Sequence, residues 1–398
     1  MELYILDSDF FAEGVIDDVE SVIWHKKYND IGECEIHSPY SEELHEMLKR
    51  GRYVYRYDDD MACIITDVEI TTDVEDGDYI TVTAKDICSI LSGRIVRWLT
   101  VFSGTVAEFV WKLLSENVIN ANPTSRSIPK FIMDKSNFSR LTATIDASVQ
   151  TDDLLNLIVA ACKAAGYGFR VSIDLAAGRI VFALYAGSNR STGLDGYVEF
   201  SPEFSNIIDS HYKESDGNFK NVVYVGYESV NGALQLMSVF NGVSEPRGMD
   251  RKEVYIDGTG TSREIAFEEL RQMYPNCYRE GDTIWEDSTK LVKLADVETT
   301  GEGETTEEKI IVTDIPYLRI IRRLGTEALA SYVEVREFNG TVDTAETYEY
   351  KDDYDLGDIV LAANKFGISA PARIVEVLES DDNEDGYVVE PMFEFMNL

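Results

Sequence analysis

Four histidines, at positions 25, 37, 45 and 211, are the first residues to consider for metal or acid–base chemistry. A zinc centre on a helix uses two histidines four residues apart, because that spacing puts both imidazoles on one face. No two of these histidines have that spacing. His25 and His37 fall in predicted strands, and His45 falls on a short acidic helix. We therefore interpret the histidines as structural.

The acidic run Asp381–Gly386 begins like the calcium-binding loop of an EF-hand. Such a loop needs a bidentate glutamate six residues after its glycine, and here that position is Met392. Flanking helices are not predicted either. The run is therefore expected to form a hairpin turn.

The turn Asp257–Gly260 follows a predicted strand and precedes a predicted helix, as a dinucleotide-binding fingerprint would. Arg263 stands where the third glycine of that fingerprint belongs, and Thr261–Glu264 has the pattern of a helix cap. The sequence contains no Walker A motif and no GxSxG motif. This segment is expected to be a plain strand-to-helix turn.

Carboxylates and arginines do not single out a site. A glycosidase needs two carboxylates held across a sugar, and the sequence cannot select such a pair among 73 acidic residues. Arg319, Arg322 and Arg323 fit a solvated helix face or a salt bridge between subunits. We expect no catalytic, cofactor-binding or metal-binding residues, no cofactor, and no enzymatic activity.

The charge excludes some classes of partner. The 398 residues include 73 acidic and 36 basic side chains, a formal charge of −37. This charge disfavours binding to nucleic acid and to anionic membranes, because both carry phosphate. Two interpretations remain open: a surface that keeps the protein in solution, and a surface that must not adhere to DNA.

The five cysteines, at positions 34, 63, 88, 162 and 277, show no metal-binding spacing. We expect them to be reduced and mostly in the core, as in a chain made in a cytoplasm. The N-terminus lacks the pattern of a signal peptide, and no run of about 18 apolar residues predicts a membrane span. We therefore expect no membrane insertion.

The pattern of residues predicts a mainly β protein with α+β parts. Strands dominate the first hundred residues, with one short helix at Ser41–Lys49. The next hundred residues are mixed: Thr105–Glu108 is a capping box, and a second helix is expected to start at Thr151–Asp153 and to end at a C-cap at Gly166. A hairpin turning at Ala177–Gly178 follows.

The second half continues with strands at 196–200 and 221–227, and with a hairpin whose turn is Asn231–Gly232. Helices are predicted at Glu264–Tyr274 and Pro316–Ala330. Residues 296–309 are acidic and rich in Thr and Gly, which predicts a mobile loop. From Tyr332 onward the pattern is again that of strands.

Two distant segments resemble each other. Ile65 precedes Gly77 by twelve residues, and Ile374 precedes Gly386 by the same interval, each time with an acidic turn before the glycine. A strand that starts at a glycine, Gly51 or Gly357, precedes each segment. Two acidic hairpins can look alike by chance, and a chain with two copies of a β-barrel is the alternative.

The order of several motifs resembles a family of siphovirus and prophage tail proteins, related to tail-tip hub proteins and to the N-terminal regions of tail-associated lysins. The resemblance covers most of the chain, although residues 207–219 and the acidic loop are less typical. The motifs that carry it are Asp7–Phe10, Ile16–Asp18, Ser21–Trp24, Gly32–Ile36, Leu91–Val96, Gly166–Phe169, Val198–Asn206, Lys220–Val225 and Tyr354–Val360.

The resemblance implies a phage tail hub fold with two tail-tube-like β-barrels and an inserted α/β subdomain. On this basis we divide the chain into a first barrel domain (1–98), an α+β subdomain (99–195), a second barrel domain (196–263 with 331–398) and a helical insertion with the acidic loop (264–330).

The same resemblance implies a homotrimer at the tip of the virion tail, assembled in the cytoplasm of the bacterial host. Its expected partners are a distal tail or tube protein and a spike, fibre or lysin, and DNA would pass without specific binding. Two other functions stay open: a tail-associated peptidoglycan hydrolase, and a tail protein that binds a carbohydrate or receptor on the host surface.

Overall fold

The computed structural model describes residues 1–17, 19–73, 77–98, 100–193, 196–240, 242, 244–300, 307–342, 347–383 and 386–396. The chain divides into two compact units. The main unit comprises Met1–Tyr212 and Glu337–Leu398, and the inserted unit comprises Lys213–Arg336.

Strands form most of the regular structure. Those of the first half are β1 (Leu3–Leu6), β2 (Ala12–Ile16), β3 (Ser21–Lys27), β4 (Glu33–Pro39), β5 (Tyr53–Tyr55), β6 (Ala62–Asp73), β7 (Gly77–Asp86), β8 (Thr100–Thr105), β9 (Phe131–Asp134), β10 (Thr144–Val149), β11 (Gly168–Asp174), β12 (Arg179–Tyr185) and β13 (Glu199–Phe200). Those of the second half are β14 (Ile207–Ser215), β15 (Val222–Glu228), β16 (Leu234–Phe240), β17 (Glu253–Asp257), β18 (Glu264–Ile265), β19 (Tyr278–Glu280), β20 (Thr283–Trp285), β21 (Lys293–Thr300), β22 (Glu307–Val312), β23 (Val335–Val342), β24 (Ile359–Ala363), β25 (Ser369–Asp382) and β26 (Gly386–Phe395). The α-helices are α1 (Glu42–Met47), α2 (Val106–Leu114), α3 (Leu154–Ala165), α4 (Phe267–Met273) and α5 (Asp314–Ala330).

Thirteen strands of the main unit share one sheet. The order along it is β14-β23-β26-β25-β3-β4-β7-β6-β5-β1-β2, with β24 and β13 branching from β25. Buried side chains alternate with partly buried ones along β3 and mostly with exposed ones along β4, as expected for strands with one face in a core. The prediction of a mainly β fold with α+β parts is confirmed, and the sheet is open rather than closed.

The α+β part of the main unit is built around α2 and α3. Thr105 and Glu108 form the predicted capping box of α2. Asp153 caps the N-terminus of α3, and Gly166 ends it in the left-handed conformation. Apolar side chains of both helices share one core with the sheet β11-β12-β9. Capping therefore sets the helix bounds here, as the sequence predicted.

The inserted unit contains the sheets β16-β15-β17 and β18-β22-β21-β20-β19. Helix α5 buries Tyr317 and Ile321 in a core that also contains Val223, Val225 and Leu294. From the sequence, residues 196–263 are expected to belong to the second barrel domain. In the structure β15, β16 and β17 pair with one another within the inserted unit, since the buried face of β15 packs against α5.

The acidic segment 296–309 differs from the predicted loop. Its described residues belong to β21 and β22, which pair antiparallel with Glu298 opposite Lys309. Arg279 forms a two-pronged ion pair with Glu308 at 2.8 Å. These pairs of opposite charge on adjacent strands stabilise the hairpin despite its acidic composition. The prediction of a loop was therefore wrong for the described residues of this segment. Residues 301–306 lie outside the described residues.

In the described part of the chain, no helix is both long and apolar enough to cross a membrane. The five cysteines are free thiols; four are buried, and Cys277 is partly exposed. The expectation that the cysteines lie mostly in the core is therefore confirmed.

Candidate functional site

The main sheet contains the same five-strand pattern twice. We call β3, β4, β5, β6 and β7 repeat 1, and β14, β23, β24, β25 and β26 repeat 2. In both repeats the first, second, fifth, fourth and third strands lie in that order across the sheet. Five strands can be ordered in many ways, so an identical order indicates two copies of one unit.

Equivalent glycines lie two residues before the third strand of each repeat. Gly51 has a φ of 87° and Gly357 a φ of 94°, both in the left-handed region. The Gly51 N–H donates to the Ile65 carbonyl at 2.9 Å, and the Gly357 N–H donates to the Ile374 carbonyl at 2.8 Å. In each repeat the isoleucine N–H donates back to the residue after the glycine at 2.9 Å. The two repeats therefore have the same backbone hydrogen bonds at equivalent positions.

The fourth strands also agree in their irregularities. A β-bulge follows Ile65 in β6, and another follows Ile374 in β25. Twelve residues after each isoleucine, Gly77 or Gly386 pairs with the end of its hairpin at a positive φ. Bulges bend a strand and interrupt its regular pairing, and their positions are characteristic of a fold. The similarity seen in the sequence is thus a structural repeat.

A seam joins the two repeats into one sheet. Beyond its bulge, β25 pairs antiparallel with β3, from Glu376 opposite Lys27 to Asp382 opposite Ser21. Before the bulge, the same edge of β25 pairs with β24. The bulge therefore marks the point at which β25 passes from its own repeat to the neighbouring one.

Buried charges lie under the seam. The Lys26 ammonium is 2.5 Å from Asp59 and 3.0 Å from Glu379, and Arg56 is 3.1 Å from Glu379. Lys351 also contacts Asp59, at 2.9 Å. The side chains of Asp59 and Glu379 are each 1% exposed. Residues from both repeats thus neutralise one another in a largely buried site.

Burial and pairing act in opposite directions on these groups. Burial by itself would raise the pKa of Asp59, but the ammonium groups of Lys26 and Lys351 hold that pKa well below its usual range. Burial by itself would lower the pKa of Lys26, but Asp59 and Glu379 raise it. Asp59 and Lys26 therefore stay ionised at neutral pH, and their contacts with Lys351 and Glu379 connect the two repeats.

A cavity of about 520 Å³ opens beside this network. Its lining carries both signs of charge, including Lys26, Asp59, Asp86 and Arg170. Asp86 accepts a hydrogen bond from the Cys88 N–H at 2.7 Å. Burial raises the pKa of Asp86 to about 7, and that hydrogen bond opposes the rise.

In repeat 2 the fourth strand, β25, pairs with β3 at the seam, whereas among the described strands the equivalent edge of β6 in repeat 1 has no strand beside it. The stretch Asp67–Asp73 of β6 is equivalent to Glu376–Asp382 of β25. Among the described strands, none pairs with its outer edge. Ile70 is 45% exposed, whereas its equivalent Glu379 is 1% exposed. This edge is a candidate interface.

The residues weighed for chemistry in the sequence lie apart. His25 is 2.7 Å from Glu376 at the seam, and His37 stacks on Tyr79. His45 lies on α1 and His211 on β14. Among the described residues, no group of three or more His, Cys, Asp or Glu side chains is arranged to hold a metal ion.

The other candidate segments have structural roles. At the predicted turn 381–386, Asp382 of β25 pairs with Gly386 of β26; positions 384 and 385 lie outside the described residues. Arg323 contacts Glu269 at 2.9 Å within the inserted unit. The carboxylates and cations of the seam were not singled out in the sequence, because they come from distant segments without a shared motif.

Comparison with known proteins identifies the family. The model of siphovirus ReqiPepy6 Gp37-like proteins matches residues 2–393. No curated protein matches the chain in sequence.

Two solved structures share the fold. The tail protein from Neisseria meningitidis MC58 has a TM-score of 0.53 and 11% identity, over 98% of this chain and 95% of that one. The 43 kDa tail protein of prophage MuSo2 from Shewanella oneidensis has a TM-score of 0.52 and 11% identity, over 99% and 98%. The predicted resemblance to tail proteins is thus confirmed: the chain belongs to the family of siphovirus ReqiPepy6 Gp37-like proteins and has the fold of phage and prophage tail proteins.

Proposed function

We propose that this chain is a structural hub subunit at the tip of a phage or prophage tail, and that it works as a homotrimer. The observation that carries the proposal is the presence of two equivalent β-repeats joined in one sheet. Three such chains offer six equivalent repeats. Closed rotational symmetry satisfies every copy of a head-to-tail interface, so the assembly stops at a ring.

The resemblance to tail hub proteins suggests what the ring joins. One face would meet a distal tail or tube protein, and the other would hold a spike, fibre or lysin. The genome would pass through the opening without specific binding, because a chain with a formal charge of −37 repels phosphate. The place of the subunit would be the virion tail tip, after assembly in the host cytoplasm.

We propose a structural rather than an enzymatic role. The buried carboxylates Asp59 and Glu379 are held in ion pairs. Both side chains are 1% exposed and so are shielded from a substrate, and the low pKa of Asp59 makes it a poor proton donor. Their arrangement favours a rigid connection between repeats.

The test is the mass and shape of the purified chain at high concentration. Native mass spectrometry should give three times the chain mass of 44.8 kDa. Negative-stain images should show rings with six similar densities around an opening. A chain that stays monomeric at the highest attainable concentration, or a ring with another number of chains, would contradict the proposal.

A further inference from the structure

The outer edge of β6 is equivalent to the edge of β25 that forms the seam, but among the described residues no strand pairs with it. In repeat 2, the stretch after the bulge carries β3 on this edge. In repeat 1 the equivalent stretch, Asp67–Asp73, has no strand there among the described residues, and Asp67, Glu69 and Ile70 are exposed. An edge strand with unpaired N–H and C=O groups is a template for another strand.

The strand equivalent to β3, which would pair with this edge of β6, is β14. It holds the same place in repeat 2 that β3 holds in repeat 1, at the start of the order across the sheet. Both strands carry a His-x-Lys sequence, at His25–Lys27 and His211–Lys213. Six strands separate β14 from β6 in the sheet. A β14 strand that reaches the edge of β6 therefore comes from another copy of the chain.

We propose that β14 of one chain adds antiparallel to the Asp67–Asp73 edge of a neighbouring chain. If the His-x-Lys sequences are aligned and the register of the seam is kept, Asp67 lies opposite Lys213 and Glu69 lies opposite His211. The intrachain seam shows the same complementarity, with Glu376 opposite Lys27. The inference rests on the proposed hub function, because only a ring supplies a second copy at this edge.

Cysteine cross-linking tests the contact and its register. Directly opposed residues of antiparallel strands have Cβ atoms about 4.5–5.5 Å apart, close enough for a disulfide after small adjustments. All variants carry Cys277→Ser, because that thiol is partly exposed. Oxidation of the Asp67→Cys, Lys213→Cys double variant should give a covalent trimer. An equimolar mixture of the two single variants should give a covalent dimer.

The matched control moves one cysteine by a single position. Glu214→Cys replaces Lys213→Cys, and its side chain points to the opposite face of the strand. It should cross-link to Asp67→Cys roughly tenfold less. A trimer by native mass spectrometry in which Lys213→Cys cross-links no better than the control would overturn this contact and leave the hub function standing. A chain that remains monomeric would overturn both.

Charge reversal gives a second measurement without cysteines. Asp67→Lys should lose the trimer, and the further change Lys213→Asp should restore it. Asp146→Lys is the matched control, since Asp146 is an exposed aspartate on β10 in the α+β part. It should leave the trimer intact. Loss of the trimer in the control, or no rescue by the second change, would overturn the proposed pairing.

Discussion

Arg56 and Glu379 form a buried ion pair, with 3.1 Å between Nη1 and Oε2, although 323 positions separate them in the sequence. Arg56 follows the third strand of repeat 1, and Glu379 lies in the fourth strand of repeat 2. Tyr387 donates a further hydrogen bond to Glu379 at 2.6 Å. This carboxylate is therefore a point at which the two repeats depend on each other.

We expect Glu379→Gln to destabilise the main unit strongly. The variant keeps the shape of the side chain but leaves Arg56 and Lys26 with too little negative charge in a dry site, which costs about 3–5 kcal/mol. Urea unfolding measures the loss. Lys163→Ala is the control, because it removes an exposed ion pair with Asp30 and should cost less than about 1 kcal/mol. Equal losses in the two variants would contradict the buried network.

The equivalent glycines should differ in their tolerance of alanine. Gly51→Ala should cost about 1–2 kcal/mol, because an L-residue is strained at a positive φ while the space around it is open. Gly357→Ala pays the same strain, and its new methyl group also collides with the ring of buried Tyr28. We expect an additional loss of about 1–3 kcal/mol from this overpacking. Thermal unfolding of both variants measures which of them is less stable. A Gly357→Ala variant more stable than Gly51→Ala would contradict the prediction.

The stability of the main unit should depend on the ionisation of Asp86. Its pKa is raised to about 7 in the folded chain, so the folded state binds the proton more tightly than the unfolded state does. The stabilisation is complete below pH 4 and is lost as the pH rises to 7, by about 1–3 kcal/mol. Asp86→Asn keeps the acceptor for the Cys88 N–H and should flatten this profile in urea titrations.

The control for this pH profile is Asp153→Asn, which changes an aspartate that also accepts a hydrogen bond from a backbone N–H, as the cap of α3. It should leave the decline between pH 4 and 7 in place. Equal pH profiles in the wild-type chain and in Asp86→Asn would show that the carboxyl of Asp86 is not held in its protonated form.

The purified chain should not retain DNA. Attraction to a duplex comes from the release of counterions by lysine and arginine, and here acidic residues outnumber basic ones by 73 to 36. A gel-shift assay at low salt, where such attraction is strongest, measures this. Retention of duplex DNA at submicromolar protein would argue against an opening that a genome passes.

The chain should also show no hydrolysis of peptidoglycan. Its sequence contains no GxSxG motif and singles out no catalytic pair among the 73 acidic residues, and the buried carboxylates of the seam form ion pairs. A zymogram with cell-wall substrate is the measurement. Clearing that disappears after substitution of one acidic residue would reveal a catalytic group and would favour the hydrolase alternative.

Local signals in the sequence predicted local structure well. The capping box at Thr105, the left-handed C-cap at Gly166 and the hairpin at Asn231–Gly232 are all present, because these motifs satisfy backbone groups within a few residues. The predicted helix Glu264–Tyr274 begins later, at Phe267. Its first residues pair with β22 instead, so a tertiary contact outweighed the capping pattern.

The seam could not be predicted, because its contacts join remote parts of the chain. Nothing near Lys26 in the sequence indicates that it will meet Asp59 and Glu379. The repeated interval from Ile65 to Gly77 and from Ile374 to Gly386 did indicate two copies. It carried no information on how the copies are joined, since strand pairing between distant segments depends on the whole sheet.

The inserted unit enters repeat 2 between its first and second strands, where repeat 1 has only residues 28–32. One repeat in two therefore carries an extra unit, although the sheets are alike. In the proposed ring, three such units would alternate with three bare positions. Neighbours that contact the sheet would meet six-fold symmetry, and neighbours that contact the insertions would meet three-fold symmetry. A ring of one kind of polypeptide could thus join a six-fold symmetric neighbour to a three-fold symmetric one.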